Sequence, residues 1–109
     1  MSYNVDTIST FRREAKKLIR KYPSLKKELE QLIENLSADP TQGTALGKNC
    51  YKLRLAIASK NTGKSGGARI ITHIVIAEDT VYLLSIYDKS DKDTLTDKQI
   101  SELLDYILD

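Results

Sequence analysis

KNTGKSGGAR, residues 60–69, carries three glycines and three cations in ten positions. Its centre, TGKS, matches the end of a nucleotide-binding loop, which would put a buried strand before it and a helix after it. That loop also needs a glycine five residues ahead of the one preceding the lysine. Position 58 is alanine. The other candidate, GTALGKN at residues 43–49, has one residue too few between its glycines and ends in Asn49, which cannot replace the magnesium-holding Ser/Thr. The segments on either side alternate like strands, so the glycines join strand to strand.

On the N-terminal side, YKLRLAIAS (51–59) sends Tyr51, Leu53, Leu55 and Ile57 one way and Lys52, Arg54, Ala56 and Ala58 the other. On the C-terminal side, ARIITHIVIA (68–77) and TVYLLSIYD (80–88) read as two more strands around a turn at Glu78 and Asp79. Connections this short make the three strands antiparallel neighbours. Before them, SADPTQGTALGKN (37–49) reads as a loop from its Pro, Gly, Ser and Asn content.

Further out the period is helical. Ile8, Phe11, Ala15, Leu18, Ile19 and Tyr22 form one stripe entered through the polar DTIST, with Arg12, Arg13, Lys16, Lys17, Arg20 and Lys21 on the other face. Pro23 ends that helix; Pro23 or Ser24 opens a second, with Leu25, Leu29, Leu32, Ile33 and Leu36 as its apolar stripe. The junction is short enough for an antiparallel hairpin. In TDKQISELLDYIL (96–108), Thr96 and Gln99 make a capping box, and Ile100, Leu103, Leu104 and Ile107 a buried face. The expected order is ααβββα: a helical hairpin packed on a small antiparallel sheet with a C-terminal helix, an α+β fold in a single domain spanning 1–109.

Composition leaves few function classes. The chain is 40% apolar and 29% charged, as a soluble globule is, and its one cysteine, Cys50, allows no internal disulfide. The first residues lack the apolar core of a signal peptide, and IVIA (74–77) is far too short to span a bilayer, so the cytosol is the default expectation and no membrane partner is implied. Net charge is +2, but residues 1–87 carry fourteen Lys/Arg against eight Asp/Glu, and residues 88–109 three against seven. Between Asp39 and Glu78 there is no acid at all, while Lys48, Lys52, Arg54, Lys60, Lys64 and Arg69 fall there. A one-signed cationic surface of this kind suits phosphate.

Alternation puts several of these cations together. Lys52 and Arg54 leave the face opposite Leu53; if Ile70, Ile74 and Ile76 join Leu53 and Leu55 against the helical hairpin, Arg69 and His73 stand beside Lys52 and Arg54. By the same parity Ser85, Tyr87 and Lys89 join from the third strand, and the patch contains no carboxylate. Such a patch repels metal ions and lacks their ligands, so no metal or other cofactor is expected. It cannot be a serine triad either, having no acid to orient its histidine. Arg and Lys fixed on a sheet can hold non-bridging phosphate oxygens and stabilise a pentacovalent state, and a lysine crowded by cations is suited to act as a base. RNA fits better than DNA, because its 2′-hydroxyl is an internal nucleophile.

NCYKLRLAI, the basic loop, ARIITHI and VYLLSIYDKSD, behind two helices and ahead of TDKQISELL, resemble the RelE/ParE superfamily of type II toxin–antitoxin toxins over nearly the whole chain. The likeness is nearest to the RelE/HigB-like branch. It implies an mRNA interferase acting at the ribosomal A site, an endoribonuclease in which the 2′-hydroxyl attacks the adjacent phosphate to leave a 2′,3′-cyclic phosphate. The implied partners are mRNA, the ribosome and a cognate antitoxin. By this resemblance Lys52 is the base or proton shuttle, Arg54 and Arg69 grip the scissile phosphate, and Lys89 supports the leaving oxygen. The tyrosine that some members carry near the C-terminus is replaced here by Leu95, and Tyr87 is the candidate substitute. Lys48, Lys60, Lys64 and His73 would be outlying RNA contacts. The acidic C-terminal helix differs from the basic tail of strong RNA cleavers and keeps the gyrase-inhibiting ParE branch open. A general RNA-binding domain without catalysis is the third reading.

Overall fold

The switch from helical to alternating periodicity appears where the sequence places it. The computed structural model describes residues 2–60, 66–92 and 94–108. Its elements are β1 (Asn4–Thr7), α1 (Ser9–Lys21), α2 (Leu25–Ala38), β2 (Thr44–Gly47), β3 (Cys50–Leu55), β4 (Ala68–Val75), β5 (Thr80–Asp88) and α3 (Asp97–Leu108). Two short 3₁₀ turns, Ala58–Lys60 and Ile76–Glu78, follow β3 and β4.

The fold is α+β, with three helices on a five-stranded mixed sheet in the order β1-β5-β4-β3-β2. β3, β4 and β5 are the three expected antiparallel strands. The two edge strands are additions to the expected order. β1 comes from the polar run before α1 and pairs in parallel with β5; β2 comes from the presumed loop and pairs with β3. Each has four residues, too few for alternation to register, and each is held by a longer neighbour. The β2–β3 turn places Lys48 at φ 55° and Asn49 at φ 59°, both left-handed, which matches the twist of a two-residue hairpin.

Leu25, Leu36, Leu53, Ile57, Ile70 and Ile86 are at most 4% exposed and pack with Phe11, Ala15, Leu29 and Leu32 between the helical hairpin and one sheet face. Ile76 does not join them: it lies in the 3₁₀ turn after β4 and is 64% exposed. A register shift at Ile71/Thr72 brings Thr72 opposite Leu83. Beyond it strict alternation no longer relates β5 to β4.

α1 begins behind Ile8, which has no capping side chain; the Arg12 guanidinium donates back to the Thr7 carbonyl and hydroxyl oxygens and ties the first turn to the end of β1. α3 has the capping box expected of it, Thr96 N–H donating to Gln99 Oε1 at 2.8 Å and Gln99 N–H to Thr96 Oγ1 at 3.1 Å.

Candidate active site

In an antiparallel ladder, residues directly opposite share a face. Arg54 opposes Arg69, and Lys52, two residues back on β3, opposes Ile71. On the other side of β4, Arg69 opposes Tyr87 and Ile71 opposes Ser85. Lys52, Arg54, Arg69, Ser85 and Tyr87 therefore occupy one sheet face. Leu53, Ile70, Ile86, Ala68 and Asp88 occupy the other, toward the helical hairpin.

Their exposures differ. Arg54 is exposed and Lys52 and Lys89 are half-buried, whereas Arg69 is 2% and Tyr87 4% exposed. The C-terminal segment lies against part of this face, at Ser85 and Tyr87. A groove of about 520 Å³ is lined by Glu14 of α1, Ser85, Lys92, Leu95, and Gln99 and Leu103 of α3, which puts α3 over the Ser85 side of the face. The Lys92 ammonium lies 5.2 Å from the centre of the Tyr87 ring, a cation–π contact. The Arg69 guanidinium donates through Nη1 to the Ala68 carbonyl at 3.2 Å. Lys89 is fixed through its backbone, its N–H donating to the Gly67 carbonyl at 2.9 Å. Gly67 has no room for a Cβ, which would overlap the Leu55 carbonyl oxygen, so β3 and β4 can approach here only around glycine.

The outlying candidates are placed as follows. Lys48 is exposed on the β2–β3 turn, its ammonium donating to Ser101 Oγ of α3 at 3.1 Å. His73 opposes Cys50, with Nδ1 3.5 Å from the Cys50 sulfur. Burial lowers the His73 pKa, against its hydrogen bonds to the Lys48 and Asn49 carbonyls. Burial pushes the Cys50 thiol up to about 11 although Lys48 is near. Lys60 is not an open loop cation: it forms an ion pair with Asp88, whose side chain is 2% exposed. Lys64 lies outside the described residues.

Asp88 is a hub that the sequence reading missed. It accepts from the Tyr22 hydroxyl at 2.9 Å, from Ser90 N–H at 2.9 Å, from Ser90 Oγ at 2.8 Å and from Lys60. Burial pushes its carboxyl up, but Lys60, Ser90 and Tyr22 together outweigh that and hold it well below the usual carboxylate range. Strand parity gave the clue, since the neighbour of Tyr87 must face the core, and a buried carboxylate requires donors. Glu14 was missed as well: it accepts from Ser85 Oγ at 2.8 Å and from Ile86 N–H at 3.3 Å. The face expected to be free of carboxylates thus has one at its margin.

Among the described residues, no group of three His, Cys, Asp or Glu is arranged to hold a metal, and no helix is long and apolar enough to cross a membrane.

Residues 7–106 match the family model described as the RelE toxin of the RelE/RelB toxin–antitoxin system. The fold is similar to that of an arginine-substituted mutant of the E. coli toxin RelE in the free state, with TM-score 0.61 and 17% identity over 99% of this chain and 96% of that one. It is also similar to a chain of the RelBE2 toxin–antitoxin complex from Mycobacterium tuberculosis, with TM-score 0.57 and 20% identity over 81% and 92%. A metal-bound toxin from Helicobacter pylori gives TM-score 0.53 and 18% identity over 82% and 97%.

Proposed function

This chain belongs to the RelE toxin family of RelE/RelB toxin–antitoxin systems, and from that premise we propose that it is an endoribonuclease cutting messenger RNA in the ribosomal A site. The observation that carries the reading is Arg54 directly opposite Arg69, with Lys52 two residues along the same face. Like charges opposed across a ladder are destabilising, and an anion bound between them relieves the repulsion.

In this reading the RNA supplies its own nucleophile, which makes attack intramolecular and needs no activated water. Lys52 accepts the 2′-hydroxyl proton as the 2′-oxygen attacks phosphorus. The bond to the 5′-oxygen breaks, a 2′,3′-cyclic phosphate forms, and the 5′-oxygen leaves as a hydroxyl after taking a proton. Arg54 and Arg69 stabilise the negative charge that accumulates on the non-bridging oxygens, and Lys89 supports the leaving oxygen. Tyr87 borders the site from β5. Because Arg54 is exposed and Arg69 nearly covered, RNA meets Arg54 first; direct contact with Arg69 requires the cover to yield.

A cognate antitoxin is the proposed regulator, supported by family membership and by the similarity to a chain of the RelBE2 toxin–antitoxin complex. Nothing in these likenesses favours the gyrase-inhibiting alternative. The test is induction of the chain without an antitoxin, followed by mapping of transcript ends. Breaks within translated codons support the proposal, and intact messages in arrested cells refute it.

A further inference from the structure

We propose that the groove between α1, β5 and α3 is a base-recognition pocket for the strand to be cut, and that it takes an unstacked cytosine. The inference deepens the RNA-directed reading above and rests on it. At about 520 Å³ the groove has the size of a small-molecule site. It opens beside the cationic residues: Ser85, which lines it, lies opposite Ile71, and Ile71 lies opposite Lys52. Two strand spacings, about 10 Å, therefore separate Ser85 from Lys52. A base can enter the groove while a neighbouring phosphate of the same strand meets Lys52 and Arg54.

The polar lining of the groove fits one base edge. Glu14, half-buried on α1, accepts through Oε1 from Ser85 Oγ at 2.8 Å and from Ile86 N–H at 3.3 Å, and its Oε2 accepts from no described residue. Gln99 is turned the other way: its Oε1 accepts from Thr96 N–H at 2.8 Å, which leaves the Nε2 amino group as a donor. The Lys92 ammonium is a second donor on the same lining. One acceptor with two donors matches cytosine, whose Watson–Crick edge runs amino donor, N3 acceptor, O2 acceptor. A carboxylate taking the cytosine amino group is an established base contact. Uracil would set a carbonyl oxygen against the Glu14 carboxylate, guanine has one acceptor and two donors, and adenine lacks O2. Leu95 and Leu103 supply apolar walls, and Tyr106, 59% exposed, a ring on which a single-stranded base can stack. The exposed carboxylates of Glu102 and Asp105 repel phosphate, which keeps the backbone on the cationic face and admits the base alone.

The test is fluorescence anisotropy of the purified full chain with labelled uracil strands of about ten nucleotides, built on 2′-fluoro sugars so that none can be cut. The central base is left as uracil or replaced by cytosine, by pyrimidin-2-one, which is cytosine without its amino group, by adenine or by guanine. The cytosine strand should bind roughly tenfold more tightly than the uracil and pyrimidin-2-one strands. Glu14→Gln keeps an acceptor for Ser85 and should bind those three strands alike. Tyr106→Ala should weaken binding of the cytosine strand, and thermal unfolding checks that each variant folds. Equal binding of the strands by wild type, or none, overturns the proposal, as does a cytosine preference that survives Glu14→Gln. Tighter binding of the adenine or guanine strand overturns it too. So does a lysine-rich peptide that binds wild type more tightly than the cytosine strand and is lost in Glu14→Gln, which would assign the groove to a protein. Message cleavage in induced cells is scored apart: cut messages without a cytosine preference remove this inference alone, and uncut messages remove the endoribonuclease reading whatever the strands show.

Discussion

Arg54 and Arg69 stand directly opposite one another on β3 and β4, on the same sheet face, the first exposed and the second 2% exposed. They should therefore separate function from stability. Arg54→Ala should leave unfolding within about 0.5 kcal/mol of wild type while lowering cleavage by roughly 10²-fold or more. Arg69→Ala should lose cleavage and also about 2–4 kcal/mol of stability, since a long buried side chain is removed. Urea unfolding with transcript mapping on both variants distinguishes them; equal stabilities would contradict the burial difference.

Asp88 should set the acid limit of the fold. Its carboxyl is held below its unfolded value, so the unfolded chain takes up the proton more readily and stability rises with pH. That contribution should be complete above about pH 5 and fade as pH falls through the unfolded value of about 3.9 toward the folded one. Asp88→Asn should flatten this acid limb and cost about 2 kcal/mol at neutral pH, less than a fully buried pair because Lys60 can turn to solvent. An acid limb as steep as that of wild type in urea titrations would contradict this.

Cys50 should be inert in the native state. It is 1% exposed and its thiol is raised to about 11, so little thiolate exists at neutral pH. Iodoacetamide at pH 8 should label it only after denaturant is added, as intact-mass measurement would show. Rapid labelling of the folded chain would contradict the burial.

Gly67 should tolerate no side chain. An added Cβ would overlap the Leu55 carbonyl oxygen, and the Lys89 N–H is anchored on the Gly67 carbonyl. Gly67→Ala should shift β3 from β4, cost roughly 2 kcal/mol or more, and reduce cleavage through Lys89. A variant with the wild-type unfolding midpoint would show that the strands do not approach as described.

Much of this was legible in the amino-acid order because periodicity is a backbone property. Phe11 and Ala15 at helical spacing, and Leu53 against Lys52 and Arg54, specify which side faces the core before any contact is known. The parity that set Arg69 beside Arg54 agrees with the β3–β4 register. What escaped depends on long-range partners. β1 and β2, at four residues each, are strands only because β5 and β3 supply their hydrogen bonds. Parity gives a face but not its cover, so Arg69 could be assigned to the right side without its burial being foreseen. Lys60 read as a loop cation because Asp88, 28 residues away, meets it only in the folded chain.

The central claim is that the cationic sheet face breaks RNA, with Lys52 as the proton acceptor. It is tested most directly by mapping transcript ends after induction of wild type and of Lys52→Ala at equal protein levels. The account predicts ends inside translated codons, carrying 2′,3′-cyclic phosphates, with wild type, and a fall of about 10²-fold or more in the variant. Equal cleavage by the two proteins, or intact messages with wild type, would contradict it.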